Sequence, residues 1–119
     1  MSAIPYPTTK TKARFITYTN DTRTSGTIKY PDGRLYKGEI EDGLCNGFGL
    51  LYYQNRLIYQ GQWKYNQMNG HGNFLFLDGD RYIGSVQDGY AHGKGKFFFD
   101  GYSLDVNFDR YGPVPLKLE

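Results

Sequence analysis

The sequence predicts an all-β repeat protein built from antiparallel hairpins laid side by side. Three observations predict it: a period of 23 residues, a period-two alternation within each unit, and 16 Gly combined with 12 Tyr and 8 Phe in 119 residues. Glycine is thus nearly double its average usage of about 7%. Flexible linkers lack aromatics and ordinary cores hold few glycines, so the two must alternate regularly. No 3.6-residue stripe competes with that pattern.

The period is read in columns. Tyr36, Tyr59 and Tyr82 are in phase with Gly38, Gly61 and Gly84, with Gly47, Gly70 and Gly93, and with Gly49, Gly72 and Gly95. The apolar columns Ile40, Trp63 and Val86, then Leu51, Phe74 and Phe97, then Tyr53, Phe76 and Phe99 keep step.

Taken in order, residues 1–13 form an extended basic N-terminal arm and 14–110 form the repeat sheet. A degenerate first unit covers 14–33, where Gly26, Ile28 and Tyr30 hold the phase but Phe15 stands in the place of Gly38. Full units follow at 34–56, 57–79 and 80–101, each read as a hairpin because polar and apolar residues alternate, as in Tyr36, Gly38, Ile40 against Lys37, Glu39, Glu41. Their internal turns lie near Asp42–Asn46, Tyr65–Asn69 and Asp88–His92. Asp32-Gly33 and Asp78-Gly79 join units with residues that tolerate positive φ, while Gln54-Asn55-Arg56 takes the equivalent place with poorer turn chemistry. Leu104, Val106 and Phe108 mark a closing strand at 102–110, and 111–119 is an extended tail. Degenerate end units are expected where a stack must be capped.

A register in which residue numbers sum to 89 places Ile40 opposite Gly49, Gly38 opposite Leu51 and Tyr36 opposite Tyr53. The later units then pair Trp63 with Gly72, Phe74 with Gly61, Val86 with Gly95 and Phe97 with Gly84. Every glycine faces a bulky neighbour, which recovers the contact that a bare strand glycine lacks.

Tyr36-Lys37-Gly38-Glu39 through Gly47-Phe48-Gly49, with its echoes Tyr59-Gln60-Gly61-Gln62-Trp63 through Gly70-His71-Gly72 and Tyr82-Ile83-Gly84 through Gly93-Lys94-Gly95, resembles the membrane occupation and recognition nexus (MORN) repeat. The resemblance covers about Gly26 to Phe108. It implies an elongated, single-layer, twisted antiparallel sheet without helices. It also implies a non-enzymatic scaffold, since family members anchor cytoskeletal, ciliary or membrane-contact assemblies and some dock a helix along the sheet. Asn66 in place of the usual turn glycine, and Ser85-Val86 in place of an acidic-aromatic pair, depart from the pattern.

Eight or nine strands at 4.7 to 4.9 Å make a ribbon roughly 40 Å long whose side chains, lacking a second layer, are only partly buried. Two surfaces are candidates for a partner. One carries the columnar aromatics Tyr36, Tyr53, Tyr59, Trp63, Phe74, Phe76, Tyr82, Phe97 and Phe99, which chiefly hold the sheet together and also offer a shallow groove. The opposite face carries Phe48, Leu50, Tyr52, Leu75, Leu77, Ile83 and Phe98 among lysines and glutamines. Lys10, Lys12 and Arg14 form a basic arm that suits anionic lipid or an acidic protein tail. Exposed end strands also offer edges along which two copies can pair.

Other chemistry finds no constellation. Net charge is +2, too small a footprint for nucleic acid. No apolar run approaches the ~18 residues of a membrane span, and no signal-like segment opens the chain. The lone Cys45 cannot close an internal disulfide, which points to a reducing compartment. His71 and His92 stand on strands too far apart for one metal, the Gly-x-Gly pairs precede no helix, and Asp78-Gly79-Asp80 lacks the remaining ligands of a calcium loop. Ser25, Ser103 and Cys45 have no basic partner at an inferable distance. No cofactor, metal or catalysis is expected. The expected role is a small subunit of a cytoskeletal assembly, cytoplasmic and placed in a cilium or flagellum, that docks a partner's helix or extended segment. Membrane tethering through anionic phospholipids is the alternative, and a non-catalytic module serving an enzyme in trans is a third class.

Overall fold

The computed structural model describes residues 15–108 and 114–115, and the elements built from them are strands. In chain order these are β1 (Phe15–Tyr18), β2 (Ser25–Lys29), β3 (Arg34–Glu41), β4 (Leu44–Tyr53), β5 (Arg56–Lys64), β6 (Gln67–Leu75), β7 (Arg81–Gln87), β8 (Tyr90–Phe99), β9 (Tyr102–Asn107) and β10 (Val114–Pro115). β1 to β8 pair with their sequence neighbours in one antiparallel sheet. The far side of β8 is shared by β9, along Lys94–Phe99, and by β10, at Tyr90 and Ala91.

Tight turns make this meander possible. Asp42-Gly43, Tyr65-Asn66, Asp88-Gly89, Gln54-Asn55 and Asp100-Gly101 are two-residue connections with both residues at positive φ, the conformation whose twist matches that of paired strands. β2–β3 and β6–β7 use longer connections, residues 30–33 and 76–80. There the amide of Gly33 or Gly79 donates to the carbonyl of Tyr30 or Phe76, and Asp32 or Asp78 accepts the amide two residues on.

The register differs from the sum-of-89 expectation by two residues outside each bulge and by four between the bulge and the turn. Gly38 lies opposite Gly49 and not Leu51, Tyr36 opposite Leu51 and not Tyr53, and Ile40 opposite Cys45 and not Gly49. Likewise Trp63 meets Met68, Phe74 meets Tyr59, Val86 meets Ala91 and Phe97 meets Tyr82. The cause is a bulge in each hairpin, at Gly38/Ile40, Gly61/Trp63 and Gly84/Val86, where the second strand inserts two extra residues just past a turn shorter than expected. A slip of two or four keeps every side chain on its face, so the face assignment of the columns is unaffected.

In this register glycine faces glycine. Gly26, Gly38, Gly49, Gly61, Gly72, Gly84 and Gly95 form one unbroken row across β2 to β8, ending against Tyr18 on β1 and Val106 on β9. Phe15, which replaces Gly38 by count, pairs instead with Lys29, because the first hairpin is shorter.

The sheet is also more enclosed than a flat ribbon. Its extents are 43 × 27 × 23 Å, and the smallest is about twice the ~10 Å depth of a sheet layer. Tyr36, Tyr59, Tyr82, Phe74, Leu51, Ile58 and Ile28 are fully buried, where partial burial was expected of a single layer. Bulges bend strands and raise their twist, so three per molecule plus a fourth at Leu51/Tyr52 curl the sheet around its own aromatics. The curled-in side is called the inner face below. Leu77 belongs to the core on that side, not to the opposite cluster, since it starts the loop after β6 where strand alternation no longer applies. Phe108 leaves the line of β9 and packs against Tyr82 and Phe97, closing the C-terminal end.

Candidate functional site

Each hairpin repeats one local device around its bulge. The Tyr36 hydroxyl donates to the Glu39 carbonyl at 2.6 Å, Tyr59 to Gln62 at 2.9 Å and Tyr82 to Ser85 at 2.7 Å. To reach that carbonyl the phenol ring lies across the glycine row, and a methyl on Gly49, Gly72 or Gly95 would strike it. The same column supplies a second clamp from its side chain. Glu39 accepts the Phe48 amide, and Gln62 Oε1 accepts the His71 amide at 2.7 Å, both beside the glycines Gly47 and Gly70 held at positive φ. Ser85 in the third hairpin is too short to do this.

Burial decides what the inner face can offer. Trp63 stands edge-on between Tyr36 and Tyr59, at centroid distances of 5.3 and 5.2 Å, and its Nε1 donates to the Gly49 carbonyl. Of the expected groove residues, Tyr36, Tyr59, Trp63, Phe74 and Tyr82 are enclosed by this packing, and Tyr53, Phe76 and Phe97 are half-buried. Phe99 remains exposed, and it continues into Tyr102 and Leu104, which are 71% and 52% exposed on the same face because they pair with Phe99 and Phe97. Among the described residues, the most accessible part of the inner face is therefore a strip at its C-terminal end. Burial raises the phenols of Tyr30, Tyr36 and Tyr59 above the ordinary tyrosine range and lifts Tyr82 to about 12.

The outer face has a different layout from the single cluster expected. Phe48, Leu50 and Tyr52 lie on β4, while Leu75, Ile83 and Phe98 lie on β6 to β8. Gln60 and Asn73 stand between Leu50 and Ile83 in the same cross-strand row, so two apolar patches result. Each carries a cation over a ring, Lys37 over Tyr52 at 5.6 Å and Arg81 over Phe98 at 4.7 Å. A groove of about 630 Å³ runs beside Phe48 between Glu39, Gln62, Trp63 and Tyr65. Lys10, Lys12 and Arg14 lie outside the described residues.

Several residues in the core lie outside the apolar columns read from the sequence. Ile58 is buried next to Tyr59 because a bulge turns both inward. Asn66, at positive φ, accepts the Cys45 amide at 2.8 Å and donates its own to the Cys45 carbonyl at 2.9 Å, which ties two hairpins together and explains its place at a turn. Cys45 is buried with its Sγ 3.3 Å from the Tyr30 hydroxyl, and burial pushes the thiol up to about 12, far from a nucleophile. Arg34 is buried between Asp32, at 2.7 Å, and the face of Tyr30. His71 and His92 stand on β6 and β8 with β7 between them.

The MORN repeat model matches residues 36–57, 59–81 and 82–102, more than half of the chain. Among curated proteins, Protein TIC 100 of Arabidopsis thaliana is 43% identical over 44 residues, which are 36% of this chain and 5% of that protein. Alsin of Rattus norvegicus and of Homo sapiens are each 35% identical over 56 residues, 43% of this chain and 3% of theirs. The chain thus spans a small fraction of the length of these relatives.

Proposed function

Because the chain belongs to the MORN-repeat family, whose repeats serve as protein or membrane interaction modules, we propose that it is a non-enzymatic scaffold that docks a helix or extended segment of a partner protein on its sheet. One observation supports this above others. The inner face is saturated by its own aromatics except at the strip of Phe99, Tyr102 and Leu104, which adjoins the half-buried Phe76 and Phe97. Large apolar side chains left contiguous and exposed beside a closed core mark a contact surface. An amphipathic helix laid there meets three apolar anchors, with aromatic side chains as its chief energetic contacts. The outer patches at Phe48 and Phe98 are secondary candidates for the same role.

A place as a small cytoplasmic subunit of a cytoskeletal assembly, in a cilium or flagellum, is part of this proposal and is motivated by the family alone. Cross-linking of native material tests it: cross-links from residues flanking Phe99–Leu104 to one stoichiometric partner are expected. The combined Phe99→Ser, Tyr102→Ser and Leu104→Ser variant should retain the fold and lose those cross-links. Unchanged cross-links in a folded variant, or a monomer with no neighbour, defeat it. Tethering to anionic phospholipid is the second possibility, favoured by the basic first 30 residues, which hold five cations and one carboxylate. Vesicle pelleting that survives neutralisation of Lys10, Lys12 and Arg14 would exclude that electrostatic route.

A further inference from the structure

The two ends of the sheet are not alike. At the C-terminal end, β9 carries the exposed Asp105, and Tyr90 and Ala91 at the start of β8 are covered by β10, which contains a proline; charge and proline are devices that keep strand edges from pairing. At the N-terminal end, β1 is Phe15-Ile16-Thr17-Tyr18, with no charge, no proline and no bulge. It is the terminal strand of the order, paired only on its β2 side among the described residues.

The groups on its outer side, unpaired among the described residues, can be named. Thr19 donates its amide to the Ser25 carbonyl at 2.9 Å, so alternation in the antiparallel ladder turns the amides and carbonyls of Thr17 and Phe15 toward β2 as well. Ile16 and Tyr18 therefore direct theirs outward. Cations flank this edge: Lys29 sits 5.2 Å from the Phe15 ring centre and Arg23 5.7 Å from that of Tyr18. In sequence Lys10, Lys12 and Arg14 lead into β1, and Asp21 is the one carboxylate among residues 1–30.

We propose that β1 is an acceptor edge for an extended acidic segment of a partner protein, which adds an antiparallel strand against Ile16 and Tyr18 and sets carboxylates near Lys29 and Arg23. The occupant follows from two requirements. Alternating amides and carbonyls are matched by a peptide backbone, not by a lipid or a nucleic acid. The concentrated positive charge selects an acidic sequence and repels a second copy of the same edge. This site lies off both faces and stands or falls separately from docking at Phe99–Leu104.

The test uses the full chain and fluorescein-labelled peptides of about ten residues, with an alternating Val/Thr core flanked by glutamates. Expected are saturable binding by fluorescence anisotropy, weakening as salt is raised, and perturbation of the Ile16 and Tyr18 amide signals in ¹⁵N spectra. Lysine flanks should weaken binding about tenfold, and folded Arg23→Ala or Lys29→Ala chains about threefold each. The Phe99→Ser, Tyr102→Ser, Leu104→Ser chain should bind unchanged. N-methylation of alternate core residues, which keeps the charge and removes the ladder donors, should abolish binding. Equal binding of the N-methylated or lysine-flanked peptide, signal changes confined to either face, or no binding at all would overturn the proposal. Concentration-dependent self-association of the chain through Ile16 and Tyr18 would overturn it in favour of a second copy.

Discussion

The hydroxyl of the columnar tyrosine is what separates it from phenylalanine at the same place. Phenylalanine would fill the same space over the glycines, but the carbonyls of Glu39, Gln62 and Ser85 beside the bulges would lose their donor. Tyr59→Phe is therefore expected to cost about 1–3 kcal/mol in urea unfolding, the penalty of a buried acceptor left unmade, with the sheet retained by circular dichroism. The same residues set the alkaline limit. Folding raises Tyr82 from 10.0 to about 12 and Cys45 from 9.0 to about 12 by burial of the neutral form. The unfolded chain thus loses these protons first as pH rises, so stability holds below about pH 9 and falls between there and about pH 12. Thermal melts across that range, with tyrosinate absorbance as the titration readout, should show this; a flat profile would contradict it. The tyrosine column was legible in the sequence, but its bond to the residue three places on was not, because the bond depends on the bulge.

At the scale of the hairpin, the bulge governs register, curvature and the spacing of the glycine row. Its two clamps are a tyrosine hydroxyl on a carbonyl and a side-chain oxygen on an amide, and the third hairpin lacks the second because Ser85 replaces the longer Glu39 and Gln62. Ser85→Gln should supply it to the Lys94 amide and raise stability by about 1 kcal/mol, while Gln62→Ala should lower it by about 1–2 kcal/mol. Denaturant midpoints that move the opposite way would remove the clamp from the account. Gly72→Ala should cost roughly 2–3 kcal/mol, because the new methyl meets the buried Tyr59 ring. Turn positions were readable from their Asp-Gly pairs, yet turn and bulge lie within four residues of each other, and sequence spacing alone merged them into one longer turn. Hence an error in register of two residues outside the bulge and four inside it, an even slip that leaves the columns on their face.

For the molecule as a whole, β1 to β8 pair in sequence order, so stability is largely a sum over neighbouring strands. Removal of one period, residues 57–79, brings Gly49 against Gly84 and leaves the glycine row continuous. The shortened chain should fold with a urea m-value smaller by roughly a quarter, and a chain that fails to fold would show that the end units depend on the full stack. The 23-residue period determined by itself the all-β class, the number of hairpins and the division of side chains between two faces, since a period of two and a repeat length are properties of order along the chain. Which face is closed, which aromatics remain reachable and which edge is left open were decided by the tertiary structure. They depend on how far the bulges bend each strand, and curvature summed over nine strands determines whether a ring meets solvent or another ring.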